Sequence, residues 1–116
     1  MSSILTRTTQ QAVLDTVKTI GKENAIHLFR SALPELEARL TVMQSATRIE
    51  DVMLAARQAF SSVKVYGSGN LEELLINLLN KRYSSQQLPD VINTVCIELE
   101  ASIKEIRCWL QPAPAN

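Results

Sequence analysis

The longest apolar stripe with helical spacing runs from Lys22 to about Ala46, and it constrains the fold more than any other feature. Its members recur at alternating steps of three and four residues, which stacks side chains on one helical face: Ile26, Phe29, Leu33, Leu36, Leu40 and Met43. Pro34 lacks an N–H donor and predicts a kink or a locally widened turn, but the stripe stays in phase beyond it, which argues against a full break. This pattern predicts a single long helix whose seam is buried against near-parallel neighbours.

Three further segments have the same periodicity: a stripe from Ile49 to Val63, a leucine-rich stretch at 71–79, and a stripe from Val91 to Leu110. A shorter amphipathic segment precedes Gly21. No segment alternates with period two and ends in a hairpin turn, which argues against strands. We therefore predict an all-α fold: an antiparallel four-helix bundle with a short additional N-terminal helix.

Local signals predict where these helices begin and end. Thr47, with Glu50 three residues later, has the pattern of a capping box that starts the third helix. Gly67 is expected to end that helix in a left-handed conformation, and Asn70 to cap the next one. Pro89 suits the first turn of the last helix.

Length and charge narrow the class of protein. The chain has 116 residues, enough for one domain with a single core, and we expect residues 1–8 and 111–116 to be flexible. Twelve basic and twelve acidic side chains cancel, which disfavours nucleic acid or an anionic membrane as the partner. No apolar run has the length of a bilayer span and no signal-peptide pattern is present. We expect a soluble, cytoplasmic protein whose partner is another protein or a small molecule.

The sequence offers little for catalysis or metal binding. His27 is the only histidine, and the two cysteines, Cys96 and Cys108, fall twelve residues apart in one predicted helix. That spacing provides neither a disulfide nor a metal-ligand set, so we expect free thiols, no metal and no cofactor. The Gly-Ser-Gly run at 67–69 follows no predicted strand and has no phosphate-binding lysine at the motif spacing after it, so it is interpreted as a hinge and not a phosphate loop.

Two stretches and the terminal helix resemble the histidine phosphotransfer (HPt) domains of bacterial phosphorelays. The first stretch is IGKENAIHLFRSALPELEARL, which is similar to the family's first long helix. The second is AARQAFSSVKVYGSGNL, which is similar to its phosphoacceptor segment, usually A-H-x-L-K-G-x-S-x-x-x-G-A-x-x-L. Ala56, Gly67 and Leu71 match that segment at the proper spacing, and the small serine pair at 61–62 begins at the position of its first glycine.

The residues needed for phosphotransfer do not match. The alignment places Arg57 where the family has its phosphoacceptor histidine, Phe60 where it has a lysine, and Ser61 where it has a glycine. A guanidinium remains protonated and has no lone pair to accept a phosphoryl group. The resemblance therefore implies a domain that kept the docking surface and lost the chemistry, so we expect no enzymatic activity.

The expected docking surface lies on the exposed side of the third helix. The angular positions around its apolar stripe place six residues there: Glu50, Leu54, Arg57, Gln58, Ser61 and Lys64. The expected partner is a receiver domain or a histidine kinase of a two-component system. Two alternatives stay open: an active phosphotransfer protein that uses His27, and a helical adaptor or chaperone outside phosphosignalling.

Overall fold

The computed structural model of the chain describes residues 7–111, and that part consists of helices without any strand. The five helices are α1 (Thr9–Ile20), α2 (Lys22–Ser45), α3 (Ile49–Tyr66), α4 (Gly69–Leu79) and α5 (Leu88–Leu110). The all-α prediction is confirmed for this part. None of these helices combines the length and the apolar character needed to cross a bilayer.

The five helices share one hydrophobic core. α2 packs against α3 and α5, and α4 packs against the same two helices, so the contacts among them form a closed ring. α1 lies against α2, α3 and α5. The largest fully buried side chains come from every helix: Phe29, Leu71, Leu75, Leu78, Leu99, Ile106, Val13, Val63 and Val95. Each apolar face therefore meets another, as the periodicity of the sequence predicts.

Helix α2 forms the longest wall of the core. The helix continues without a break through Pro34, as the in-phase stripe predicts, and the side chain of Pro34 is exposed. Five of its six stripe residues are buried: Phe29, Leu33, Leu36, Leu40 and Met43. Pro89 lies in the first turn of α5, as predicted.

Phe29 occupies the centre of an aromatic cluster. Its ring packs against the rings of Tyr66 and Trp109 in T-shaped geometry. The distances between ring centroids are 5.3 Å to Tyr66 and 5.4 Å to Trp109. Such pairs contribute about 0.5–1.5 kcal/mol beyond the burial of their area. The cluster fixes α2 against the C-terminal ends of α3 and α5.

The start of α1 is held by hydrogen bonds. The Thr8 hydroxyl accepts from the Gln11 N–H, and the Gln11 side chain accepts from the Thr8 N–H, which completes a capping box. The Arg7 guanidinium donates to the buried Glu72 carboxylate at 3.1 Å, and the Gly69 N–H donates to the Arg7 carbonyl at 2.8 Å. These hydrogen bonds involve Arg7 and Thr8, the last two residues of the N-terminal stretch expected to be flexible; residues 1–6 and 112–116 lie outside the described part.

Two predicted caps are wrong. The N-cap of α3 is Arg48, not Thr47, and no side chain caps it, while Glu50 instead forms an ion pair with Arg48. The N-cap of α4 is Ser68, whose hydroxyl accepts from the Leu71 N–H at 3.1 Å. Because Ser68 already satisfies that donor, Asn70 is free to become part of the helix.

Gly67 does not adopt the left-handed conformation that was expected, since its φ is −93°. Its lack of a side chain matters for a different reason. A Cβ at this position would lie 2.7 Å from Val63 Cγ1 and 3.0 Å from the Val63 carbonyl oxygen, closer than packed atoms tolerate. The glycine with a positive φ is Gly21, at 89°, which lies between the end of α1 and the start of α2.

Phe29 and Phe60 should respond differently to truncation to alanine. Phe29 is fully buried, so Phe29→Ala should lower the free energy of unfolding by about 3–5 kcal/mol. Phe60 is only half-buried, so the same change there should cost about 1–2 kcal/mol. Urea denaturation followed by circular dichroism measures both, and equal losses would contradict this assignment of their burial.

Candidate protein-docking surface

The six residues predicted to form the docking surface lie on the outward face of α3. All of them are exposed: Glu50, Leu54, Arg57, Gln58, Ser61 and Lys64. The inward face is formed by Val52, Ala55, Ala56, Ala59 and Val63, all buried. Three of these five are alanines, which lets the helix approach its neighbours closely. The packing of the inward face therefore fixes which side chains of α3 point outward.

Three of the six residues line one shallow depression, which we call the α3–α4 groove. Glu50, Leu54 and Arg57 lie along it, and its cavity volume is about 440 Å³. The remaining lining comes from the first turn of α3, the end of α4 and the loop after it: Ile49, Met53, Leu79, Lys81 and Tyr83. The groove thus combines an apolar floor with charged side chains.

Leu54 stands between this groove and a second depression, the α2–α3 cleft, because its side chain lines both. The cleft has a volume of about 410 Å³ and includes Asp51 and Gln58. Leu54 is 50% exposed although it belongs to a helix with a well-buried face. It forms an apolar ridge with a depression on each side.

Ser61 and Lys64 do not line either depression. They lie further along α3, where the Lys64 ammonium is 5.8 Å from the centroid of the Phe60 ring, within the range of a cation–π contact. The Lys64 carbonyl accepts a 3.4 Å hydrogen bond from Arg7. The predicted surface therefore has one part that lines the two depressions, around Leu54, and one part that lines neither, around Ser61.

The charges of the groove are weakly engaged within the chain. Among residues 7–111, Arg57 forms no ion pair. Glu50 lies 3.6 Å from Arg48, with side chains 69% and 72% exposed, respectively. Exposed pairs of this kind contribute about 0–1 kcal/mol, so both Glu50 and Arg57 are available to a partner.

Sequence reasoning missed five groove residues: Ile49, Met53, Leu79, Lys81 and Tyr83. The periodicity predicts that Ile49 belongs to the buried stripe, but its side chain is 39% exposed. Ile49 is the first residue of α3 and lies at the edge of the core. Lys81 has a positive φ of 56° where the chain leaves α4. Periodicity carries no signal for side chains that a loop brings against another helix.

Two features considered in the sequence can be located in the structure: the single histidine and the potential metal ligands. His27 is exposed on α2 and lines neither depression. Between Arg7 and Gln111, no three His, Cys, Asp or Glu side chains are placed to hold a metal ion. Burial raises the pKa of the Tyr66 phenol, a hydrogen bond with Ser62 lowers it in part, and the charge of Glu35 raises it further. Tyr66 therefore remains protonated at neutral pH.

Comparison of the chain with protein-family models, curated proteins and solved structures gave no significant match. The resemblance to HPt domains therefore rests on the motif around Arg57 and on the helix pattern alone.

The two thiols should differ in reactivity. Cys108 is exposed, whereas Cys96 is buried, and burial together with the charge of Glu100 raises the pKa of the Cys96 thiol. Because the thiolate is the reactive form, an aromatic disulfide reagent at pH 8 should modify Cys108 rapidly and Cys96 only on unfolding. Cys108→Ser should abolish the rapid phase and Cys96→Ser should retain it. Two equally fast thiols in the native protein would contradict the burial of Cys96.

Proposed function

We propose that the protein is a non-catalytic HPt-like module that docks onto a receiver domain or a histidine kinase and regulates it by occupancy. The observation that carries this proposal is the position of Arg57. The residue aligned with the phosphoacceptor histidine of HPt domains lies exposed in the α3–α4 groove, beside the half-exposed Leu54. A partner that recognises that position in a working domain would meet Arg57 here.

The helix contacts support the finer architecture of the proposal. The closed ring of contacts among α2, α3, α4 and α5 is the pattern expected of a four-helix bundle with short antiparallel connections, and α1 is then the additional N-terminal helix. The connections support it too, since α2 is followed by α3 after three residues and α3 by α4 after two. Short links of this kind favour antiparallel neighbours.

The side chain of Arg57 suits the proposed contact. The family resemblance implies a receiver pocket lined by carboxylates, usually with a magnesium ion. A guanidinium offers a planar, permanently charged fork that pairs with a carboxylate through two hydrogen bonds, and it cannot accept the phosphoryl group. Arg57 would occupy the pocket without reacting. Because a bound cation competes for the same carboxylates, binding should be tighter to the metal-free receiver.

Reversal of the charge at position 57 should weaken docking more than the loss of a peripheral charge. We expect Arg57→Glu to lower the affinity for the partner by at least about tenfold, and Glu50→Ala by less than about threefold, because Glu50 is a rim carboxylate. Arg30→Glu is a matched control, since Arg30 is an exposed arginine on α2 outside both depressions. The partner is isolated by affinity capture from the native cell, and its binding is measured by titration calorimetry. Equal affinities for the wild type and Arg57→Glu would remove Arg57 from the interface.

The protein should take up no phosphate from a phosphorylated partner. Arg57 has no acceptor lone pair, and His27 lies on α2 without the surroundings of the family's phosphoacceptor. Incubation with a phosphorylated receiver or kinase should leave no acid-labile phosphate on the chain. Arg57→His should restore little transfer, because Phe60 and Ser61 still differ from the motif. Phosphate that appears on the wild type and disappears in His27→Ala would favour the active-transfer alternative instead.

A further inference from the structure

We propose that the α3–α4 groove is also a self-association surface: two copies of the chain pair through antiparallel α3 helices around a two-fold axis at Leu54. The feature that first points to a second copy is the shape of this face. An exposed leucine ridge lies beside an apolar depression, and a two-fold axis through the ridge brings the two depressions face to face. An isologous contact of this kind requires a surface that is complementary to itself.

The charges around Leu54 provide that self-complementarity. Arg57 and Glu50 line the same groove, three residues after Leu54 and four residues before it. At 1.5 Å per residue, Arg57 lies about 4.5 Å along the helix axis in one direction and Glu50 about 6 Å in the other. An antiparallel second copy centred on Leu54 therefore places its Glu50 at nearly the same level as Arg57. Two Arg57–Glu50 pairs form, one on each side of the axis.

The opposite flank of the ridge agrees with the same register. Asp51 and Gln58 line the α2–α3 cleft, three residues before Leu54 and four after it. The two-fold axis places the Gln58 amide of one copy opposite the Asp51 carboxylate of the other, so the amide can donate a hydrogen bond. A parallel pairing would instead place Glu50 of one copy opposite Asp51 of the other, two like charges, and would leave Arg57 opposite Gln58. The charge pattern thus selects the antiparallel arrangement.

The contacts that these residues make within one chain do not oppose the pairing. Arg57 forms no ion pair in the described range, and the Glu50–Arg48 pair is exposed and weak. The apolar side chains covered at the same time are those that the monomer leaves accessible at the groove: Ile49, Met53, Leu54, Leu79 and Tyr83. Self-association therefore gains apolar burial and two ion pairs without breaking a buried contact.

Self-association has a consequence for docking that rests on the proposed function. Leu54 and Arg57 serve both contacts, so a dimer covers the surface that the receiver or kinase would use. The two equilibria exclude each other, and the free concentration of the protein then sets how much docking-competent monomer exists. The dimer itself does not require that the partner be a two-component protein.

The test is a charge swap on the full chain. Sedimentation equilibrium over about 1 μM to 1 mM, a range that spans weak to moderate affinities, should show a reversible wild-type dimer. Arg57→Glu places two glutamates opposite each other, and Glu50→Arg places two arginines opposite each other. Each variant alone should raise the dimer dissociation constant by at least about tenfold. An equimolar mixture of the two should associate again, because a heterodimer of these variants restores both pairs.

Control variants separate the pairing from general effects of charge. Arg30→Glu is the matched control, since Arg30 is an exposed arginine on α2 outside both depressions. It should leave the dissociation constant within about twofold of the wild-type value. Leu54→Asp should abolish association. Circular dichroism of every variant should match the wild type, which shows that lost association is not lost folding.

Three outcomes would overturn the proposal. A wild type that stays monomeric at every concentration would leave a different protein as the occupant of the groove. A dimer that neither charge reversal weakens would place the interface elsewhere. A mixture of Arg57→Glu and Glu50→Arg that stays monomeric would reject the Arg57–Glu50 register. None of these measurements contains a receiver or kinase, so each leaves the proposed docking function to be judged by its own calorimetry.

Discussion

The contact on which the remaining structure depends is the insertion of Phe29 between Tyr66 and Trp109. The three rings belong to α2, α3 and α5, so one fully buried side chain joins the long wall of the core to the C-terminal ends of two neighbours. Tyr66 is the last residue of α3, and its ring can meet Phe29 only if the helix is rotated in one sense about its axis. The same rotation turns Leu54 and Arg57 toward solvent. The orientation of the outward face is therefore a consequence of aromatic packing on the inward face.

A second anchor acts at the junction of α3 and α4. The Arg7 guanidinium binds the Glu72 carboxylate at the start of α4 and the Lys64 carbonyl near the end of α3, and the Arg7 carbonyl accepts from Gly69. The close approach of Gly67 to Val63 keeps the turn between the two helices tight. These contacts hold α4 beside α3, so that the far end of α4 and the residues after it form the second wall of the groove.

The charges of the groove suit both of the proposed contacts. Arg57 presents a donor fork to a carboxylate, whether that carboxylate belongs to an acidic pocket or to Glu50 of a second copy. The apolar floor supplies the area that either contact must bury, since exposed ion pairs alone contribute little free energy. A face that combines an apolar ridge with both signs of charge therefore favours a partner whose charges are placed at matching positions along the helix. The net charge of that partner matters less. The zero formal charge of the whole chain is in keeping with this.

The sequence by itself determined the helical class, five of the six buried stripe residues of α2 and the exposure of Leu54 and Arg57, because these follow from a periodicity of 3.6 residues. It did not determine the caps: Ser68 and Asn70 both have side chains that can cap a helix, and the choice between them depends on the turn at Gly67. Only the tertiary structure decided which residues line the α3–α4 groove. Ile49, Leu79 and Tyr83 meet there because α4 and the loop after it pack beside α3, and contacts between distant segments leave no periodic trace in the chain.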